Sequence, residues 1–235
     1  MKPFVFQKFQ ISQSKNVFRV GTDGVLLGAL ASVENSEKVL EVGTGTGLVS
    51  LMLAQRNPNA KILALDISEE AAQLSGNNFR ESVFDSRISA IHQDFKIFET
   101  EEKFDFIVSN PPYFEENNSE KDKIARQKTE LNFSELIQKS SELISENGTF
   151  SVIIPSDSAE FFISESLRFQ LKLVRKINVF GILGGTLRRN ILEFSKTDFP
   201  LEIIDFNIEK SPRNYSDQYL ELTKDFHIFK KPSEN

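Results

Sequence analysis

The sequence predicts an α/β fold in which a mostly parallel β-sheet carries helices on both faces. Two observations predict it: short apolar runs alternate with longer amphipathic stretches, and a glycine-rich loop joins the first run to the first amphipathic stretch. Alternation of this kind is typical of parallel sheets with crossover helices. At 235 residues, of which 39% are hydrophobic, we expect a single domain spanning 1–235 with a sizeable core.

Seven strands and four helices account for this pattern. The predicted strands are 38–42, 61–65, 88–93, 104–109, 149–154, 171–180 and 190–195, and the predicted helices are 48–55, 68–80, 131–144 and 159–168. Ser68 is a typical N-cap residue, Pro58 is a stop signal after the first helix, and the third helix is expected to close near Gly148. Because a glycine-bearing segment, 181–185, joins the last two strands, they are expected to form an antiparallel hairpin at one edge.

The composition excludes several kinds of site. The chain has no cysteine, so disulfides, thiolate metal sites and cysteine nucleophiles are excluded. With two histidines, we expect no metal site. The chain shows no readable signal peptide and no apolar run of membrane-helix length, so we expect a cytoplasmic protein without membrane contact.

The charge of the chain is unevenly distributed. The net charge of −6 argues against a protein that coats nucleic acid. Residues 168–190 nevertheless contain six basic residues and no acidic one, and the first twenty residues are also basic. Two interpretations stay open: a pair of solvated faces, or a surface that contacts phosphates.

A glycine-rich loop follows the first strand and precedes the first helix. It contains Gly43, Gly45 and Gly47, and glycines at such a position let the backbone approach a ligand. Asp66 ends the second strand, close to the spacing of roughly 20 residues expected for an acid that binds a ribose. The loop and Asp66 together predict a nucleoside-containing cofactor.

Two cofactors fit this loop, a dinucleotide and S-adenosylmethionine. Glu41, two residues before the first glycine, would repel a pyrophosphate but would attract the ammonium or sulfonium of S-adenosylmethionine, so we favour the latter. Ile67 is assigned to the same pocket. Asp94 follows the third strand, where it would either accept from the adenine amino group of the cofactor or cap the next turn.

The fourth predicted strand ends in the sequence Asn110-Pro111-Pro112-Tyr113. Proline fixes φ and extends the residue before it, so Asn110 is held at the carboxyl end of the strand, where open α/β sheets bind their ligands. The Asn110 amide oxygen and the Pro111 carbonyl provide two acceptors for one amino group, and Tyr113 provides a ring for stacking. This turn predicts chemistry on an exocyclic amino group, with these four residues as the catalytic group.

The motifs resemble those of class I methyltransferases that act on amino groups, whose fold is Rossmann-like. Further stretches resemble the bacterial tRNA1(Val) (adenine-N6)-methyltransferase family, and they cover nearly the whole chain. These stretches are 6–9, 20–28, 109–114, 125–126, 188–194 and 219–226. One departure is the segment 181–185, where that family has a more proline- and lysine-rich stretch.

The resemblance implies methyl transfer from S-adenosylmethionine to N6 of the adenine beside the tRNA anticodon, adenine 37. It implies that an N-terminal extension, 1–35, contributes to the cofactor and substrate site, with Thr22, Asp23 and Gly24 in the cofactor pocket. It also implies tRNA contacts by basic residues and a monomeric enzyme that binds the anticodon loop. The basic residues assigned to tRNA are Lys8, Arg126, Arg188 and Arg189.

Other functions share part of these motifs. The Asn-Pro-Pro-Tyr turn also occurs in DNA adenine and protein glutamine methyltransferases, so the turn alone does not decide the substrate. A NAD-dependent oxidoreductase would use the glycine loop but has no use for the turn.

Overall fold

The computed structural model describes residues 1–17, 19–111 and 132–228. Its strands are β1 (Phe4–Val5), β2 (Gln10–Ile11), β3 (Lys38–Val42), β4 (Lys61–Asp66), β5 (Ile88–His92), β6 (Phe104–Ser109), β7 (Ile144–Pro155), β8 (Lys172–Ile182), β9 (Leu187–Ser195), β10 (Glu202–Ser211) and β11 (Asn214–Tyr215). Its helices are α1 (Thr22–Leu30), α2 (Leu48–Arg56), α3 (Glu69–Arg80), α4 (Phe133–Leu143), α5 (Ala159–Arg168) and α6 (Asp217–Thr223). None of the helices in these ranges is long and apolar enough to cross a membrane.

One large sheet organises the described residues. Its strand order is β11-β10-β8-β9-β7-β6-β3-β4-β5, while β1 and β2 form a separate pair. Strands β3 to β8 and β10 run parallel to one another, β9 runs antiparallel to both of its neighbours, and β11 runs antiparallel to β10. The prediction of a mostly parallel sheet is therefore confirmed.

The seven predicted strands correspond to β3 to β9, but within the described residues the sheet has nine strands rather than seven. Strand β10 pairs in parallel with β8 on the side away from β9, so the predicted hairpin of β8 and β9 does not lie at an edge. Ile204, Phe206 and Ile208 alternate with polar residues, which is the pattern of a half-buried strand, so the sequence does carry a signal for β10. The predicted antiparallel pairing of β8 with β9 is confirmed, whereas the count of seven strands and the position of this hairpin at an edge were wrong.

The boundary between α4 and β7 also differs from the prediction. Helix α4 ends at Leu143, and β7 begins directly at Ile144 instead of at residue 149. The pairing of β6 with β7 shifts register between Phe104 and Phe106, which accommodates the extra residues as an irregularity. Gly148 lies within β7, where a Cβ would sit 2.9 Å from the Phe104 carbonyl oxygen, so it does not end the helix.

Two apolar cores lie on opposite faces of the sheet, as alternation along a strand requires. Val39 of β3 belongs to the core beneath α1, α2, α3 and α6, and its neighbour Leu40 belongs to the core beneath α4 and α5. Helices therefore cover both faces, as predicted.

Helix α1 lies in close contact with α2. A methyl group at Gly24 would lie 2.9 Å from Leu48 Cδ2, and one at Gly28 would lie 2.8 Å from Met52 Cβ. Gly24 and Gly28 are four residues apart on α1, and Leu48 and Met52 are four residues apart on α2. The two residues of each helix therefore lie on one face of it. The two glycines let the helices approach, and the start of α1 is thereby held beside the start of α2.

Candidate functional site

The carboxyl ends of three adjacent strands meet at the candidate site. Strand β3 pairs in parallel with β4 on one side and with β6 on the other, with Val42 opposite both Leu65 and Ser109. The glycine loop and Asn110 directly follow β3 and β6, and Asp66 is the last residue of β4. The structure therefore brings together at one edge the groups that the sequence assigned to cofactor and chemistry, as open α/β sheets do.

All three loop glycines adopt a backbone conformation that other residues rarely take. Their φ angles are +77° at Gly43, +55° at Gly45 and +83° at Gly47. A Cβ at Gly43 or Gly45 would meet no described atom within 4 Å, whereas one at Gly47 would lie 2.5 Å from Phe79 Cε1. Gly47 is thus required for packing against α3, while Gly43 and Gly45 leave open space in which a ligand can approach the backbone.

Asp66 ends β4, as predicted, and holds the loop. Its Oδ2 accepts a hydrogen bond from the Gly45 N–H at 2.8 Å, and its Oδ1 accepts from the Ser68 N–H at 2.9 Å. Each carboxylate oxygen keeps further acceptor capacity. The next residue, Ile67, is 54% exposed, so an apolar side chain stands beside this carboxylate at the surface.

Glu41 is buried beneath the loop, with 3% of its surface exposed. Its Oε2 accepts hydrogen bonds from the Thr44 hydroxyl at 2.9 Å, the Ser50 N–H at 3.2 Å and the Ser50 hydroxyl. Burial raises the pKa of Glu41 to about 7, against the opposing effect of these bonds. Thr44 and Ser50, which no sequence signal singled out, are therefore parts of the site.

Asp94 lies at the same edge of the sheet and caps the segment that follows it. The backbone of Gln93 donates to the Asp66 carbonyl at 2.9 Å, which sets this segment beside the end of β4. The Asp94 side chain accepts from the Lys96 N–H at 2.9 Å and so caps a short 3₁₀ helix. The capping alternative is observed, and the cofactor contact stays a prediction.

Asn110 and Pro111 end the described part of the proline turn. The Ser109 hydroxyl donates to the Val42 carbonyl at 2.9 Å and ties the ends of β6 and β3 together. Asn110 is half-buried, and a methyl group at Gly24 would lie 3.9 Å from its Nδ2. The first turn of α1 therefore borders Asn110. Pro112 and Tyr113 lie outside the described residues, as does Arg126.

The N-terminal residues assigned to the cofactor are arranged around the start of α1. Thr22 is the first residue of this helix, and Asp23 follows it. Asp23 forms an ion pair with Arg189 of β9, with 2.9 Å between Oδ2 and Nε. A residue assigned to the cofactor and one assigned to tRNA are thus in direct contact with each other.

The other two basic residues assigned to tRNA occupy different places. Arg188 is exposed on β9. Because β9 runs antiparallel to β7, its first residues lie at the carboxyl edge of the sheet, the edge where Asn110 lies. Lys8 is exposed between β1 and β2, where the neighbouring Gln7 N–H donates to the Phe226 carbonyl at 2.9 Å. Lys8 therefore lies beside the C-terminal segment.

The described side chains include no group of three or more His, Asp or Glu residues able to hold a metal ion. The site instead offers carboxylates, an amide and an open glycine loop. This donor set suits an organic cofactor with a ribose and a positive charge, and the open space above Gly43 and Gly45 fits such a group.

Comparison with known proteins identifies the family. The model of the methyltransferase small domain matches residues 10–183. A protein of Flavobacteriaceae bacterium (strain 3519-10), named tRNA1(Val) (adenine(37)-N6)-methyltransferase, is 52% identical over 97% of this chain and 100% of its own length. A protein of the same name from Bacteroides thetaiotaomicron is 38% identical over 97% of this chain and 98% of its own length.

Solved structures agree on the fold. A predicted O-methyltransferase of Agrobacterium tumefaciens has a TM-score of 0.69 at 16% identity and covers 87% of this chain and 96% of its own. A methyltransferase of Pyrococcus furiosus has a TM-score of 0.61 at 20% identity and covers 81% of this chain and 90% of its own. The class I methyltransferase fold is confirmed. The chain belongs to the methyltransferase small domain family and, over nearly its full length, to the group of relatives named tRNA1(Val) (adenine(37)-N6)-methyltransferase.

Proposed function

We propose that this protein methylates N6 of adenine 37 in tRNA1(Val) with S-adenosylmethionine as the methyl donor. The observation that carries the proposal is the position of Asn110, directly beside the strand that leads into the open glycine loop. Relatives that match the chain from end to end carry the name of this activity. The turn after β6 and the loop after β3 are thus adjacent in a chain whose family transfers methyl groups.

The residues of the loop edge would hold the cofactor. The Asp66 carboxylate would accept from the ribose hydroxyls, with Ile67 packed against the adenine and Asp94 accepting from the adenine amino group. The open backbone at Gly43 and Gly45 would lie along the cofactor. When bound, S-adenosylmethionine supplies a methyl group on a positively charged sulfur.

Glu41 would serve as the acidic partner of the positively charged end of the cofactor. Its three hydrogen bonds all go to Oε2, so among the described residues Oε1 has no hydrogen-bond partner. A buried carboxylate with a pKa of about 7 becomes fully ionised when a cation approaches, because an opposite charge favours the charged form. Thr22, Asp23 and Gly24, at the start of α1, would border the same end.

Asn110 and Pro111 would orient the substrate. The lone pair of an adenine amino group is delocalised into the ring, which makes the nitrogen a poor nucleophile. The Asn110 amide oxygen and the Pro111 carbonyl would each accept one N–H, which holds the nitrogen with its lone pair towards the methyl group. Orientation of this kind contributes much of the rate. Tyr113 would stack on the extruded base, and Pro112 would keep the turn stiff.

The phosphates of the anticodon loop would contact Arg188, with Arg126 and Lys8 as further candidates. We expect the enzyme to act as a monomer in the cytoplasm. A DNA adenine or protein glutamine substrate is the second possibility, since the turn alone is compatible with both.

The experiment is transfer of tritiated methyl from S-adenosylmethionine to total tRNA that lacks this modification, followed by nucleoside mass spectrometry. N6-methyladenosine at position 37 of tRNA1(Val) is the expected product. Asn110→Ala should lose at least about 100-fold in kcat, as expected for removal of a preorganised hydrogen-bonding group, with little change in the Kd of S-adenosylhomocysteine. Methylation of glutamine peptides or of DNA in place of tRNA would overturn the proposal.

A further inference from the structure

A cleft of about 430 Å³ opens beside the start of α1, and four of its ten described lining residues carry rings. Its walls include Phe4, Val20, Thr22, Tyr215, Tyr219 and His227. Among the described residues, neither those of the glycine loop nor Asn110 and Pro111 contribute to these walls. Thr22, which is assigned to the cofactor pocket, lines the cleft, so the cleft adjoins the site described above.

The rings form a continuous column that runs from the surface into the core. Tyr215 stacks on Tyr219 with centroids 4.6 Å apart, and Tyr219 lies 6.2 Å from His227. His227 stacks on Phe6 at 5.6 Å, and Phe6 stacks on Phe9 at 4.7 Å. Tyr219 and Phe6 are buried, whereas Tyr215 is 43% exposed. The column thus ends in an exposed ring that offers a platform for one more flat group.

The cleft lies at the same edge of the sheet as Asn110. Strand β10 runs parallel to β8, so its end and the following Tyr215 lie at the carboxyl edge. Gly21 and Thr22 line the cleft, and Gly24 borders Asn110. The Cα atoms of Thr22 and Gly24 are at most about 7.6 Å apart, two peptide steps of 3.8 Å. A group in the cleft would therefore be a near neighbour of a group held by Asn110.

The walls suit an uncharged ring with polar edges. No Lys, Arg, Asp or Glu side chain is among the described residues that line the cleft. Burial lowers the pKa of His227, so its imidazole is neutral at pH 7, and its Nε2 lies 3.3 Å from the Tyr219 hydroxyl. Aromatic faces with a hydroxyl and an imidazole at one end match a nucleobase, which has π faces and hydrogen-bonding edges.

The surroundings of the cleft fit a phosphate backbone. Lys2, Arg19 and Arg213 are exposed, and each lies within two residues of a lining residue. By the same measure four carboxylates lie near the cleft. Asp23, Asp217 and Glu221 form ion pairs with Arg189, Lys210 and Lys224, and Asp225 is exposed. Aromatic side chains with basic residues nearby are the combination that proteins use to bind single-stranded RNA, and three of the four carboxylates here are already paired with a cation.

We infer that this cleft binds an unstacked base of the tRNA anticodon loop, adjacent to the adenine that is methylated. The inference rests on the proposed function for the identity of the RNA. It assigns Tyr215 and Phe4 as stacking residues that select single-stranded loop structure. A base held here would keep the loop open while the target adenine lies against Asn110.

The test compares Tyr215→Ala with the wild type and with two controls. Tyr215→Phe keeps the ring, and Phe161→Ala removes a ring that is 54% exposed on α5, on the opposite face of the sheet. Loss of one base stack should raise the KM for tRNA roughly 5- to 150-fold in Tyr215→Ala, with an unchanged Kd for S-adenosylhomocysteine. Tyr215→Phe and Phe161→Ala should both behave like the wild type.

A binding measurement separates this inference from the proposed function. Anticodon stem-loops that carry 2-aminopurine at single loop positions should show quenched fluorescence at one position when bound, and Tyr215→Ala should abolish that quenching. If the wild-type protein methylates no tRNA, the proposed function fails, while the quenching still tests the cleft. An unchanged KM and unchanged quenching in Tyr215→Ala, or an equal effect of Phe161→Ala, would overturn the inference.

Discussion

Asp23 of α1 and Arg189 of β9 form an ion pair that joins the N-terminal helix to the sheet at the edge where Asn110 lies. The two residues are far apart in sequence, and the sequence assigned them to different ligands. Because of this contact, a substitution at either residue removes the partner of the other. Effects of these residues on methyl transfer therefore cannot be assigned to a ligand contact without testing the pair together.

A double-mutant cycle with Asp23→Asn and Arg189→Ala tests this pairing. About a third of each side chain is exposed, so a coupling free energy of about 0.5–1 kcal/mol in kcat/KM is expected. Arg188→Ala is the matched control, because the adjacent Arg188 is exposed and should combine additively with Asp23→Asn. Additive effects in both cycles would contradict a role for the pair.

The salt dependence of tRNA binding tests Arg188 as a phosphate contact. An arginine that neutralises one phosphate lowers the slope of log affinity against log salt by roughly one when it is removed. We therefore expect Arg188→Ala to weaken binding and flatten this slope, and Arg189→Ala to flatten it less because its guanidinium is paired with Asp23. Fluorescence anisotropy with labelled tRNA at several salt concentrations measures both slopes. The reverse order of effects would exchange the two roles.

The pH dependence of stability tests the buried state of Glu41. Burial raises the pKa of Glu41 from 4.5 to about 7 in the folded protein, so between these values the folded state holds a proton that the unfolded state has lost. Stability is therefore lost as the pH rises from about 4.5 through 7, by roughly 3 kcal/mol. Glu41→Gln should remove this loss, as measured by urea unfolding at pH 4 and pH 8. Parallel pH profiles of the two proteins would contradict the burial effect.

Asp66 is expected to bind the cofactor as well as the loop. Asp66→Ala should raise the Kd of S-adenosylhomocysteine roughly 10- to 150-fold, as expected for lost hydrogen bonds to a charged group, and calorimetry measures it. Asp105→Ala is the matched control, because Asp105 accepts backbone bonds from Glu37 and Lys38 at the opposite edge of the sheet. That variant should lose stability while keeping cofactor affinity. Equal loss of affinity in both would indicate that Asp66 acts through the loop alone.

Local sequence patterns predicted much of the fold. The strands β3 to β6 and the helices α2, α3 and α5 lie within a residue or so of their predicted bounds, because period and capping are properties of neighbouring residues. Ser68, for example, accepts from the Ala71 N–H as an N-cap should. The early start of β7 was missed because residues 144–148 have a weak local signal and pair with β6 through a register shift. Strand β10 was missed although its alternating residues are a strand signal, because the prediction ended the sheet at residue 195.

The sequence by itself determined the parallel sheet, the glycine loop, Asp66 at the end of β4 and Asn110 at the end of β6. Each depends on residues adjacent along the chain, and the shared carboxyl edge of parallel strands brings them together. The tertiary structure alone decided three further features: the pairing of Asp23 with Arg189, the burial of Glu41 against Thr44 and Ser50, and the ring column from Tyr215 to Phe9. The first and the last join segments that are distant along the chain, and the burial of Glu41 depends on how α2 packs on the sheet. Side-chain packing between elements sets such contacts, and no local pattern encodes it.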